Sequence, residues 1–199
     1  MAEQVRTNKL AAVNSMLRMI GESSVSDLAT PTRSDVDAAI ALLEEVSREI
    51  QSEGWWFNRE VVDLVPDGNG EIVLNETILS VDKTLYSPST EYVERGDGGV
   101  MKLYNTKDRT FVFTESKVEV VIIFQFLFEE LPEVVRKAIT SRATRLLCEA
   151  RVLDINLAKI LSQDELINRA KLEDAELSNG DYNVFKGPDL HNLVSQWHR

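Results

Sequence analysis

The chain has 199 residues, 43% of them hydrophobic and 28% charged, with a formal net charge of −11. That balance excludes a disordered chain and supports a core large enough for one domain, or for one domain carrying an insertion. The acidity argues against tight binding of nucleic acid, because neutralising phosphates needs a surplus of Lys and Arg on one face.

The first predicted helix runs from about Asn8 to Ile20, with Leu10, Val13, Leu17 and Ile20 at helical spacing and Gly21 directly after them. A loop rich in Ser and Thr, with Pro31, follows. Ser34 reads as an N-cap, with Asp35 and Asp37 complementing the helix dipole in the first turn. The second helix continues to Ser52 or Glu53 on a stripe of Val36, Ile40, Leu43, Val46 and Ile50, and Gly54 stops it. Glycine suits both stops because it takes a left-handed backbone without a steric penalty.

From Glu60 the period changes from helical to alternating. Val62 and Leu64 lead into the turn Asp67-Gly68-Asn69-Gly70, then come Ile72 and Leu74 and a strand from Ile78 to Tyr86. Tyr92 to Arg95 and Val100 to Tyr104 flank Gly96-Asp97-Gly98-Gly99, a hairpin or loop, and Phe111 to Thr114 reads as a further strand. The clearest strand is Val118 to Phe128, with Val118, Val120, Ile122, Phe124, Phe126 and Phe128 on one face. Its other face is partly apolar, as in a strand covered by a helix or a neighbouring subunit.

Pro132 suits the first position of a third helix, whose expected buried stripe is Val135, Ile139, Ala143, Leu146, Ala150 and Leu153. A fourth helix, from about Asn156 to Leu177, presents Leu157, Ile160, Ile167 and Ala170 and is expected to end at Gly180. The expected fold class is α+β. An antiparallel helical bundle is formed by the N- and C-terminal helices, with a β-rich insertion between them. The expected boundaries are 1–58 and 129–180 for the bundle, 59–128 for the insertion and 181–199 for a C-terminal docking tail.

The longest apolar run, Val120 to Phe128, is broken by Gln125 and is too short for a membrane-spanning helix, which takes about 20 residues, so no membrane contact is expected. No basic, apolar, small-residue signal segment is read at the start. The single cysteine, Cys148, falls on a helical pattern near Leu146 and Leu147 and reads as a packed thiol in a reducing compartment.

The order of Ala12-Val13-Asn14, Ile20-Gly21-Glu22, Val25-Ser26-Asp27-Leu28 and Ile50-Gln51-Ser52-Glu53-Gly54-Trp55 with Phe57-Asn58 resembles the tail tubular protein A family. These are tail adaptors of short-tailed bacteriophages. Leu131-Pro132-Glu133 opening a helix with Arg142, Ala143 and Arg145, and Gly180-Asp181-Tyr182-Asn183, are similar as well. The resemblance covers the helical parts at both ends. It implies a structural virion protein of the phage tail, assembled in the host cytoplasm, that forms a dodecameric ring between the portal protein and the tail nozzle (tail tubular protein B). Tail fibres are possible further contacts, and DNA passes through the lumen without tight binding. A duplex that must slide through a channel should not stick to it, and acidity also serves solubility.

No cofactor, no metal and no catalytic residue are expected. His191 and His198 both lie near the C-terminal end without a nucleophile motif, and with Cys148 they show no ligand spacing. Glu44-Glu45 and Glu129-Glu130 are the candidate carboxylates for an alternative reading, a tail-associated peptidoglycan hydrolase, although neighbours on a helix point in different directions. A third reading is a small acidic protein that mimics DNA. Gly96-Asp97-Gly98-Gly99 lacks the Lys-Ser/Thr of a phosphate loop and reads as a turn.

The expected assembly contacts are Trp55, Trp56, Phe57, Arg142, Arg145, Tyr182, Phe185, Leu190, Leu193 and Trp197. For the three aromatics, a partner patch competes with a structural role for at least two of them at the junction of helix and insertion. For the arginines, intersubunit ion pairs compete with a surface pair to Glu149. The aromatic and aliphatic residues around Gly187-Pro188 would be costly to expose, so that segment either folds back or docks on a partner.

Overall fold

The computed structural model describes residues 6–29, 33–83, 92–152 and 154–184. In chain order these form α1 (Lys9–Met19), α2 (Ser34–Ser52), β1 (Arg59–Leu64), β2 (Ile78–Lys83), β3 (Tyr92–Asp97), β4 (Val100–Asn105), β5 (Val118–Phe124), a 3-10 turn (Phe128–Glu130), α3 (Glu133–Arg151) and α4 (Ile155–Val184). The fold is α+β, with its strands antiparallel in two small sheets. It divides into two units, 1–47 with 128–199, and 48–127.

In the helical unit, Asn8 caps α1 by accepting a hydrogen bond from the N–H of Ala11 at 2.8 Å. At the other end Gly21 has φ +80°. Glu22 N–H reaches Leu17 O and Gly21 N–H reaches Arg18 O, which is a Schellman ending. The buried face of α1 is Ala12, Val13, Met16 and Leu17, so Met16 replaces Leu10 and Ile20 of the expected stripe. In α2, Val36, Ala39, Leu43 and Val46 are buried, as is Ile50 further along the same stripe. Arg33 rather than Ser34 stands at its N-cap position, since Arg33 O accepts from Asp37 N–H.

α3 packs on both α1 and α4. Pro132 is its N-cap rather than its first helical residue, one position from the expectation. Because α3 is covered on more than one side, its buried set widens to include Arg136, Ala138, Ser141, Thr144, Leu147 and Cys148, whereas Ala150 is exposed. Asp154 starts α4 by accepting from the N–H groups of Asn156 and Leu157, at 2.8 and 3.2 Å. α4 then runs through Gly180 to Val184, past its expected end. Its buried anchors are Leu161 and Leu172, while the expected Ile160, Ile167 and Ala170 are exposed.

In the β unit the sheet order is β1-β5-β2, with β5 at the centre, and β3 and β4 form a separate pair. β5 is flanked in register, Val62 by Val120 on one side and Val81 by Ile122 on the other. Val118, Val120 and Ile122 face a core shared with Ile72, Leu74, Tyr92, Leu103 and Phe113. The strand stops at Phe124, short of the expected Phe128. Gly98 and Gly99, both with positive φ, make the two-residue turn between Asp97 and Val100, so Gly96 to Gly99 is a hairpin. Phe111 to Thr114 forms no strand. Phe113 instead donates its N–H to Gly70 O at 2.8 Å. The expected strand from Ile78 passes at Lys83 into residues outside those described.

Candidate functional site

The end of α2 and the turn after it are built by two buried side-chain amides. Gln51 is fully buried; its Oε1 accepts from Phe126 N–H at 2.8 Å and its Nε2 donates to Phe126 O at 3.2 Å. Asn58, also fully buried, donates from Nδ2 to Gln51 O at 2.9 Å and to Phe124 O at 2.8 Å. Its Oδ1 accepts from Trp55 N–H at 2.8 Å. Buried amides satisfied in this way fix geometry, since each missing bond would leave an orphaned polar group. Gly54 sits in the same turn at φ +75°, and a Cβ there would lie 2.6 Å from Ile123 Cδ1.

The three aromatics therefore divide. Trp55 is buried and donates Nε1–H to Ile50 O at 2.7 Å, so it is an anchor of the turn. Trp56 and Phe57 are half-buried and stack edge to face with centroids 5.3 Å apart.

Arg142 and Arg145 converge on one carboxylate that sequence reasoning did not single out. Arg142 reaches Glu165 Oε1 at 3.2 Å, and Arg145 Nε donates to Glu165 Oε2. Arg145 also pairs with Glu149 at 2.8 Å, the expected contact four residues on. Glu165 first, then burial working against it, then Glu149, set the Arg145 guanidinium; the balance raises its pKa above the usual arginine value. The only cue in the sequence was Glu165 lying one turn from Leu161 on the true inner face of α4.

Arg136 is a second residue the sequence did not single out. It is buried and donates to three carbonyls, Leu131 O at 2.8 Å, Thr7 O at 2.7 Å and Glu129 O at 2.6 Å. Thr7 in turn donates to Glu133 through its N–H at 3.1 Å and its hydroxyl at 2.6 Å. Burial pushes the Glu133 carboxyl up, but the Thr7 bonds, with Lys137 and Arg136 nearby, outweigh it and hold the group below the usual glutamate value. Together these bonds tie the start of α1 to the start of α3.

A groove of about 350 Å³ lies among α1, α3 and α4, with Ser15, Arg18, Lys137, Thr144 and Asp164 in its lining. The candidate carboxylates lie elsewhere. Glu44 pairs with Lys9 Nζ, and Glu129 accepts from Lys9 N–H at 3.2 Å. Glu45 and Glu130 are exposed. Among the described residues no group of three His, Cys, Asp or Glu side chains could hold a metal ion, and no helix is long and apolar enough to cross a membrane. His191 and His198 lie outside the described residues, as do the expected contacts Phe185, Leu190, Leu193 and Trp197. Tyr182 stands in the last turn of α4, and its side chain is not among those described.

Burial, and the nearby charge of Glu149, push the Cys148 thiol up. That makes it a packed, unreactive group.

A family model described as tail tubular protein matches residues 10–182, a span that takes in both helical ends and the whole β unit. A comparison with curated proteins found no match.

Proposed function

From the premise that this chain belongs to the tail tubular protein family, we propose that it is the adaptor that joins the portal to the tail nozzle of a short-tailed phage. A structural role in a phage tail follows from the family itself. The finer reading is a ring of copies, twelve in the virion, closed by a heterologous head-to-tail interface. Its upper surface docks on the portal and its lower surface receives the nozzle, with tail fibres at that junction. The ring continues the DNA channel and so serves genome retention and ejection. In this reading residues 1–58 and 129–180 form the ring body, 59–128 the insertion and 181–199 a docking tail. Assembly takes place in the host cytoplasm.

The observation that carries the proposal is the family match spanning residues 10–182. Three physical features support it. The net charge of −11 suits a lumen through which a duplex slides without sticking. Trp56 and Phe57 leave aromatic surface half-open beside a turn that buried amides hold rigid. Large apolar side chains along α4 stand in solvent, as expected of a surface that neighbours cover.

The test mixes the purified chain with portal rings of the same phage and images the product. A second ring coaxial with the portal is expected. Portal rings that stay bare at micromolar adaptor concentration would remove the proposal.

A further inference from the structure

The β3–β4 hairpin has two unlike ends. Beside its turn, Leu74, Ile78, Val100 and Met101 line a hollow of about 580 Å³, and Glu76 and Glu94 stand in the same lining. Val100 and Met101 are each 44% exposed. Glu94 accepts from Val81 N–H, and among the described residues no cation pairs with Glu94 or Glu76.

At the opposite end the chain leaves β4 through a loop held by one buried amide. Asn105 is 4% exposed; its Oδ1 accepts from the N–H groups of Lys107 and Asp108, both at 3.0 Å, and its Nδ2 donates to Asp108 Oδ2 at 2.9 Å. Asn105 and Thr110 also exchange backbone bonds at 2.9 and 3.2 Å. Arg109 has φ +56°, and among the described residues it alone, glycines apart, has a positive φ. A left-handed backbone is unfavourable for a side chain of that size, so the bonds around it must fix the loop's shape. Lys107 and Arg109 are exposed, with no carboxylate paired to them among the described residues. At the base of the loop Tyr104 and Phe111 meet edge to face, with centroids 4.9 Å apart.

We propose that Lys107 and Arg109 of one copy enter the hollow of a second copy, β unit to β unit and head to tail. The hollow has the chemistry of a socket for a long cationic side chain. Its apolar floor takes the methylene stem and its carboxylates take the charged head. A copy cannot fill its own hollow, because β4 holds the two ends about 17 Å apart. A nucleic acid is the wrong occupant, since its phosphates are repelled by Glu76 and Glu94 and it has no apolar stem to bury.

Loop and hollow at opposite ends of one hairpin make a heterologous contact that repeats from copy to copy. Its use rests on the ring reading, in which it joins neighbours. One loop in one hollow falls well short of the roughly 800 Å² per partner of a stable complex. Free copies therefore meet through it only at high concentration, or when something holds them side by side.

The test places p-benzoylphenylalanine at Val100 of the full-length chain. This copy is mixed with an isotope-labelled copy at millimolar concentration and irradiated, and the adducts are mapped by mass spectrometry. Adducts on residues 107–111 of the labelled copy are expected. Arg109→Glu in the labelled copy should cut their yield about fivefold, and Glu76→Arg in the photoreactive copy should restore it. Adducts within one chain, adducts elsewhere on the second copy, no adduct at all, or a yield indifferent to Arg109→Glu would each overturn the contact. Portal binding is read separately, so its failure would remove the ring reading and leave this result standing.

Discussion

Gln51 pairs with Phe126 as one strand residue pairs with another: the side-chain amide both accepts the Phe126 N–H and donates to its carbonyl. Phe126 lies two residues past the end of β5, where no described strand pairs it. A helix side chain thus finishes the sheet. Asn58 then returns a bond to Gln51 O, which closes the loop between helix end and strand end.

Asn58→Ala removes the donor to two carbonyls and the acceptor for Trp55 N–H in a fully buried place. The expected loss is about 2–4 kcal/mol of unfolding free energy, read from urea denaturation at constant slope. A change under about 0.5 kcal/mol, the scale of an ordinary surface substitution, would show that the amide is not structural.

Gly54→Ala and Gly21→Ala separate backbone strain from steric conflict. Both glycines have positive φ, but a Cβ at Gly21 meets nothing within 4 Å, whereas at Gly54 it meets Ile123 Cδ1. Gly21→Ala should cost about 1 kcal/mol and Gly54→Ala clearly more. Ile123→Val, which deletes the clashing methyl, should recover part of the Gly54→Ala loss in a double-mutant cycle. Equal costs at the two glycines would contradict the contact.

Glu165→Gln removes the carboxylate that Arg142 and Arg145 share, while Glu149 still faces Arg145. The pair is mostly shielded, with 18% and 17% side-chain exposure for Arg145 and Glu165, so screening by water is incomplete. A loss of about 1–2 kcal/mol is expected, shrinking as salt is raised. The check is thermal unfolding of wild type and variant at low and high ionic strength.

Glu133 gives the pH dependence its sign. Its folded pKa lies below the ordinary value, so its contribution to stability is present above the unfolded pKa and is lost as pH falls through the folded one. Wild type should therefore exceed Glu133→Gln in urea midpoint at pH 7, and the gap should close on acidification below the ordinary glutamate range. A gap that persists unchanged at pH 3 would place the stabilisation elsewhere.

Much of this was legible in the sequence because local chemistry decided it. Gly21 and Gly54 marked two helix ends, Gly98-Gly99 sits at a hairpin turn, and the alternation from Val118 foretold the central strand. The face of α4 was not legible, for a physical reason. Its inner side carries Glu165 and Asn168 alongside Leu161 and Leu172, and Arg142 and Arg145 on α3 make the carboxylate tolerable there. Apolar periodicity counts a partnered polar residue as outward-facing, so it chose Ile160 and Ile167 instead. Gly180 failed as a stop because one glycine inside a long helix costs only about 1 kcal/mol. Phe111 to Thr114 alternates like a strand, yet its bond to Gly70 serves a turn rather than a ladder. Among the candidate contacts, the sequence offered an anchoring role for at least two of Trp55, Trp56 and Phe57 without saying which, and Trp55 is the buried one; Arg136 was not legible, because nothing marks an arginine whose partners are backbone carbonyls.

The central claim is that this chain builds a ring on a portal. Native mass spectrometry of portal rings saturated with the chain counts the added copies directly. The account predicts a free chain that is monomeric and a complex that gains twelve copies in one cooperative step. A stable ring of the chain alone, or portal rings that gain no mass, would contradict it.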